Sequence, residues 1–376
     1  MKSIMQKQQP VSRRACLAGL GLVGGSLALM PAWGQETAAP HTLPVRGVYG
    51  INSNRQPFQS MKAQEIPTWL ADHGVNTVFV KTSESVELLA ALREAGIRCY
   101  VSMTCFASRS LYEEHPEWRP ITAAGEEMQP DGWYHGLCPA QPDLRERRLA
   151  QFEELLENPH LDGVWLDFIR YPVRWEGAEP RIEQSCFAPH SLQAFAKHSG
   201  LSLPQDKTTA QTASWILNNH LPEWTAFKIE VIRSWVEQAR QRQQEKRPEM
   251  TLGLFSVPWT AQQHDQARRR IVAQDYPALA PHVDVFSPMV YHRMIEQPVG
   301  HIADVTREAL EQSGKQVWPI IQAMNMPDEL PAAEFRQSVD VAAQASQTGV
   351  LIFTARYIEE AGRWPDVKRL FAAPTQ

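Results

Sequence analysis

The densest run of chemically capable side chains is Leu161-Asp162-Gly163-Val164-Trp165-Leu166-Asp167-Phe168-Ile169-Arg170-Tyr171-Pro172-Val173-Arg174-Trp175. Its first half has the two-residue period of a strand, so Val164 and Leu166 share one face and Trp165 and Asp167 the other. Asp167 then closes the strand, with Arg170 and Tyr171 on the first loop residues and Pro172 barring an immediate helix. A carboxylate there can serve as nucleophile, general base or charge stabiliser. The nearby Arg170 would lower its pKa and keep it ionised, which suits a nucleophile or stabiliser better than a proton donor. The same two residues could instead form a structural ion pair beneath a loop. Asp162, at the other end of the strand, reads as a cap.

Something must position that acid. Eight short runs rich in Val, Ile, Phe or Trp have the length of buried parallel strands: 45–50, 75–81, 98–104, 161–167, 250–256, 283–289, 316–322 and 349–355. Helical stretches lie between them, several ending in Gly with a strand soon after, as an αβ loop requires. Eightfold strand–helix alternation predicts an α/β fold, a closed (β/α)8 barrel spanning 45–376. The rival, a doubly wound open sheet, lacks a GxGxxG turn after the first strand, where Tyr49-Gly50-Ile51-Asn52-Ser53-Asn54 stands instead. Two connections are long, 105–160 after the third strand and 168–249 after the fourth. Both are expected at the C-terminal mouth, where barrels of this kind carry their chemistry.

The stretch from Asp162 to Pro172 resembles the fourth-strand signature of glycoside-hydrolase-like barrels, a loosely characterised group related to the family 10-like and amylase-like barrels. Residues 136–146 resemble the segment leading into the helix before that strand, 274–292 the sixth-strand region, and 349–358 the last strand. The resemblance covers most of 45–360 and implies a hydrolase of glycosidic bonds in a poly- or oligosaccharide, with a carbohydrate-binding barrel that has lost catalysis as the alternative. Chitinase-type barrels differ: where their DGxDxDxE motif has its middle Asp and final Glu, this chain has Trp165 and Ile169.

Glycosidases need a second carboxyl group, about 5–5.5 Å from the first for retention and about 6.5–9.5 Å for inversion. In the amylase-like pattern a Glu ends strand five, but 253–265 offers Ser256 and Trp259 and no Glu. Asp265, in the following loop, and Glu329, in the seventh loop, are the working choices; Glu84, Glu176, Asp275 and Glu359 also lie in loops. Other strand-end residues suit sugar recognition: Tyr49 and Asn52 after strand one, Lys81 at strand two, Tyr291 and His292 after strand six. Gln322 and Asn325 follow strand seven, and Arg356 and Tyr357 strand eight. Trp133, Tyr134, Trp175 and Trp259 could supply apolar plates for a sugar's C–H face.

The first 34 residues read as an export signal rather than part of the fold: Lys2, Lys7 and the Arg13-Arg14 pair, then a Gly-rich apolar run and small residues. The arginine pair resembles a twin-arginine signal, so a periplasmic or secreted barrel is expected after a 35–44 linker, with no membrane association once the signal is removed. Loss of the signal takes the net charge from −5 to −9, which argues against nucleic acid as a partner. No cofactor is expected. His135, His190 and His292 show no metal-ligand spacing, and Cys99, Cys105, Cys138 and Cys186 form no CxxC. An exported setting would tolerate a disulfide, but spacing assigns no pairing.

Overall fold

A computed structural model describes residues 43–372; the expected signal segment lies outside the described residues. Nine strands occupy the eight predicted runs: β1 (Val45–Ile51), β2 (Thr77–Val80), β3 (Arg98–Thr104), β4 (Gly163–Asp167), β5 (Thr251–Ser256), β6 (Val285–Val290), β7 (Gln316–Val317), β8 (Ile320–Gln322) and β9 (Gly349–Phe353). All pairings are parallel, and β9 returns to β1 with Val45 opposite Gly349 and Tyr49 opposite Phe353, which closes the ring. The seventh stave is split because Pro319 has no N–H to give the ladder. Its carbonyl still accepts from Leu351 N at 3.0 Å, while Trp318 N reaches Phe286 O at 2.9 Å. The fold is therefore the expected (β/α)8 barrel.

The two faces of β4 divide as its alternation requires. Val164 and Leu166 are buried against the surrounding helices, whereas Trp165 points into the lumen. There its ring lies 4.7 Å from Tyr100, 5.0 Å from Phe79 and 5.3 Å from Trp318, centroid to centroid. The indole N–H, which would be costly to bury unpaired, donates to Ser287 Oγ at 3.0 Å. Gly253 on β5 makes this possible, since a Cβ there would strike the indole. The lumen is thus a packed core, not a pore.

Helices Pro142–Leu156, Leu221–Lys246, His301–Ser313 and Ala332–Ser346 are among those that jacket the ring. The third of them ends on Gly314 in the left-handed conformation, φ 63°, which a glycine adopts without a Cβ penalty. Both long connections rise from the C-terminal face and are knitted to each other. Thr122 bridges Ser185, Phe187 N donates to Ile121 O at 3.0 Å, and Arg174 Nη1 donates to Asp131 Oδ1 at 2.7 Å. Among the described residues no helix is long and apolar enough to cross a membrane.

Candidate active site

A cleft of about 520 Å³ opens at the C-terminal face of the ring. One wall comes from the end of β4 and the connections after β3 and β4: Trp133, Asp167, Phe168, Arg174, Trp175, Glu176 and Gly177. The other comes from the ends of β6 and β9 and the turns after β6, β8 and β9: Met289, Tyr291, Met294, Met324, Met326, Pro327, Phe353 and Tyr357, with Tyr49 of β1 also lining the cleft. A hollow of about 550 Å³ on the N-terminal side, beside Arg93, Glu157 and Lys246, is a poorer candidate. Its Lys246 is already paired with Glu153 at 3.1 Å and Glu157 at 3.6 Å.

Two carboxyl groups line the cleft. Asp167 is half-buried at the last position of β4, and Phe168, whose φ of 49° turns the chain sharply, donates its N–H to Asp167 Oδ1 at 2.8 Å. Burial pushes the Asp167 carboxyl up from 3.8 to about 6. The Phe168 N–H and the Arg170 charge pull the other way, and the negative charge of Glu176 adds to the rise. Glu176 is therefore close enough to be felt by Asp167, and it is the second acid of the cleft.

Hydrogen-bond donors stand around the pair. Tyr49 is pushed up to about 12, by burial first and by Asp167 next, and its hydroxyl meets Ser102 Oγ at 2.7 Å. Tyr291 is raised by burial, then by Asp167, Tyr49 and Glu176. Both phenols stay protonated near neutral pH and can donate. Trp175 is buried, and its indole N–H has no hydrogen-bond partner among the described residues. Trp133, 59% exposed, offers an open ring.

Several sequence expectations need correction. Arg170 does not hold Asp167 ionised: its buried guanidinium donates to Val173 O at 2.7 Å and lies 5.1 Å from the Phe168 ring centroid and 5.5 Å from that of Tyr134. Burial outweighs its charge, and the ion pair considered for these two residues gives way to a backbone bond. Tyr171 is buried in the outer core, not in the cleft. Asp265 does not return to the barrel mouth; its side chain is 80% exposed and pairs with Arg270. Glu329 is exposed outside the cleft.

Among the predicted sugar contacts, Tyr49, Trp133 and Tyr291 line the cleft, as do Trp175 and Tyr357. The others serve different ends. Asn52 accepts from Asn54 N at 3.1 Å and shapes the turn after β1, while Lys81 is exposed away from the cleft. Trp259 is buried against His264, 5.0 Å between ring centroids. His292 is buried against Glu334, with Nε2 to Oε1 at 2.9 Å. Arg356 is exposed and pairs with Glu360 at 2.6 Å. Gln322 stands one layer back: its amide donates to Met324 O at 2.9 Å and Met326 O at 2.6 Å, and its oxygen accepts from Met294 N at 3.0 Å. It thereby braces three of the methionines that face the cleft. Among the described residues no group of three or more His, Cys, Asp or Glu is arranged to hold a metal ion.

The methionines and Phe353 are among the lining residues that sequence reading missed, with Phe168, Arg174, Gly177 and Pro327. Met reads as core from composition alone. Phe353 had a signal, since the period of β9 puts it on the inner face with Leu351.

A comparison with curated protein sequences finds no match. Among solved structures, the chain resembles the PgaB (BpsB) glycoside hydrolase domain of Bordetella bronchiseptica at 13% identity and a TM-score of 0.64, covering 88% of this chain and all (100%) of that one. It also resembles a β-galactosidase from the psychrophilic Marinomonas ef1 (12% identity, TM-score 0.60, 86% and 59% covered). Gan42B, a GH42 β-galactosidase from G. stearothermophilus, is similar at 16% identity and a TM-score of 0.59, with 89% and 57% covered. The chain thus spans little more than half the length of these two β-galactosidases, and at such identities the likeness speaks to the fold. The sequence itself matches the family described as "Putative glycosyl hydrolase domain" (DUF4015) over residues 70–355, and the chain belongs to that family.

Proposed function

We propose that this barrel hydrolyses glycosidic bonds of a poly- or oligosaccharide, with Asp167 and Glu176 as its two catalytic carboxyl groups. The observation that carries the reading is their meeting in one cleft at the C-terminal face, each within the other's electrostatic reach. Family membership and the fold likeness support the reaction class. Asp167, whose burial lets it keep a proton up to about pH 6, protonates the departing glycosidic oxygen. Glu176 takes the ionised role, as nucleophile or as base for water. A carboxyl group that burial makes hold its proton is suited to the donor's part in such a pair. Tyr49 and Tyr291 hold sugar hydroxyls, and Trp133 supplies a stacking face. The working place we propose is outside the cytoplasm, reached through the basic and apolar segment at residues 1–34.

The test is release of new reducing ends from a panel of bacterial surface and wall polysaccharides by the full chain, alongside Asp167→Asn and Glu176→Gln. Activity in the parent, lost in both variants with a melting temperature no lower than the parent's, is the expected result. Full activity in Glu176→Gln would remove Glu176 from the pair. Saturable binding without reducing-end release would favour a binding barrel. Proton NMR of the first-formed anomer then separates retention from inversion.

A further inference from the structure

Cys138 and Cys186 lie on different connections, one leading into helix Pro142–Leu156 and the other just before helix Pro189–Ser199, yet their thiols are hydrogen-bond partners. Cys138 Sγ also lies 3.5 Å from His190 Nε2 and 3.4 Å from Ser191 Oγ. Ser185 Oγ donates to Cys186 Sγ at 3.8 Å. The backbone holds them in place from both sides. Ser185 and Phe187, which flank Cys186, bond to Thr122 and Ile121, while Cys138 N donates to Trp118 O at 2.9 Å in the same connection. Both thiols are fully buried. From this arrangement we infer that Cys138 and Cys186 form a dithiol pair built to close into a disulfide, stapling together the two connections that supply one wall of the cleft.

The surroundings divide the labour of thiol–disulfide exchange. Although burial opposes it, bonds from Cys186, His190 and Ser191 and the His190 charge hold the Cys138 thiol well below its usual range. Cys186 is pushed well above it, first by burial and then by Cys138. Cys138 is therefore the attacking thiolate, its proton taken by His190. The oxidant is a low-molecular-weight disulfide. Cys138 attacks one of its sulfurs and expels a thiolate, giving a mixed disulfide. Cys186 then loses its proton, attacks Cys138 Sγ and expels the second thiolate. Two thiols become one disulfide, and two electrons and two protons leave with two small thiols. Since both sulfurs are sealed in the folded chain, the exchange takes place late in folding, when the two connections and His190 have met but are still open to solvent, and the finished bond is shielded from later reduction. Cys99 and Cys105 lack such help: burial pushes Cys99 up to about 12, and Cys105 is raised as well with its thiol directed at Met103 O, 3.6 Å away.

The full chain, denatured and reduced, is refolded in a glutathione redox buffer, then alkylated in denaturant, digested and weighed. The expected product joins the Cys138 and Cys186 peptides, with the other three of the five cysteines alkylated. Oxidised wild type should melt roughly 5 °C above its reduced form, and Cys138→Ser and Cys186→Ser should lose that increment. Full alkylation of both residues after refolding, or a link from either one to Cys99 or Cys105, would overturn the inference. The readout is independent of any sugar, so it stands or falls apart from the proposed hydrolysis.

Discussion

Asp162 and Asp167 bracket the same strand, and their surroundings give one residue type two jobs. At the N-terminal end, Asp162 Oδ2 accepts from Cys99 N at 2.7 Å, its own N–H donates to Cys99 O at 2.8 Å, and its carbonyl accepts from Thr251 N at 2.9 Å. It joins three staves and has no cleft beside it. At the C-terminal end, Asp167 accepts a single local N–H and faces open space beside another acid. A carboxylate held by backbone donors from neighbouring staves works for the fold. One left short of partners in a half-buried cleft is costly to keep, which is consistent with the catalytic role proposed for Asp167.

That contrast can be broken by experiment. The largest effect expected is on turnover: Asp167→Asn should slow reducing-end release roughly 10³-fold, while Asp162→Asn should stay near the parent rate. Comparable losses in both would erase the distinction. Next comes stability, where the two should move in opposite directions. Asp162→Ala strands the buried Cys99 N–H and should cost about 1–3 kcal/mol in urea unfolding. Asp167→Asn should instead stabilise by on the order of 1–2 kcal/mol at pH 7.5, allowing for partial solvent screening.

The sign follows from linkage. The folded-state pKa of Asp167, about 6, lies above its ordinary 3.8, so the folded protein binds the extra proton between those values. Its burial penalty is complete above about pH 6 and fades as pH falls towards 4. Paired unfolding curves of parent and Asp167→Asn should therefore converge at low pH; a constant gap would rule out titration of this group as the source. By the same logic, if Asp167 is the proton donor, parent activity should fall as pH rises through about 6. The smallest effects are on that titration itself. Arg170→Met should move the Asp167 midpoint upward, because a favourable positive charge is lost, and Glu176→Gln should move it downward, because a repelling negative charge is lost. Carboxyl carbon NMR reads both, and a shift in the same direction for the two variants would contradict the charge assignments.

Much of the barrel was legible in the chain because its signals are short-range. The two-residue period of 161–167 predicts Val164 and Leu166 on one face and Trp165 and Asp167 on the other, and the structure separates Trp165 from Val164 and Leu166 in that way. Asp167 at the rim follows from the same count. What the loops do was less legible. Arg170 is near Asp167 in sequence, but proximity along the chain says nothing about direction, and its guanidinium turns to Val173 O. Glu176 was one loop acid among several. What brings it to the cleft is the fold of its own connection, where Arg174 bridges Arg181 and pairs with Asp131. His292 follows β6 as a sugar ligand would, yet Glu334 claims it from a helix far along the sequence. Each miss concerns a side chain whose partner is set by tertiary contact.

The indole of Trp165 sits immediately beneath Asp167 and stoppers the ring from within. Nothing can thread through such a drum, so whatever reaches the acid pair must arrive and depart by one doorway. A long polymer would have to drape over the brim, with both its ends outside.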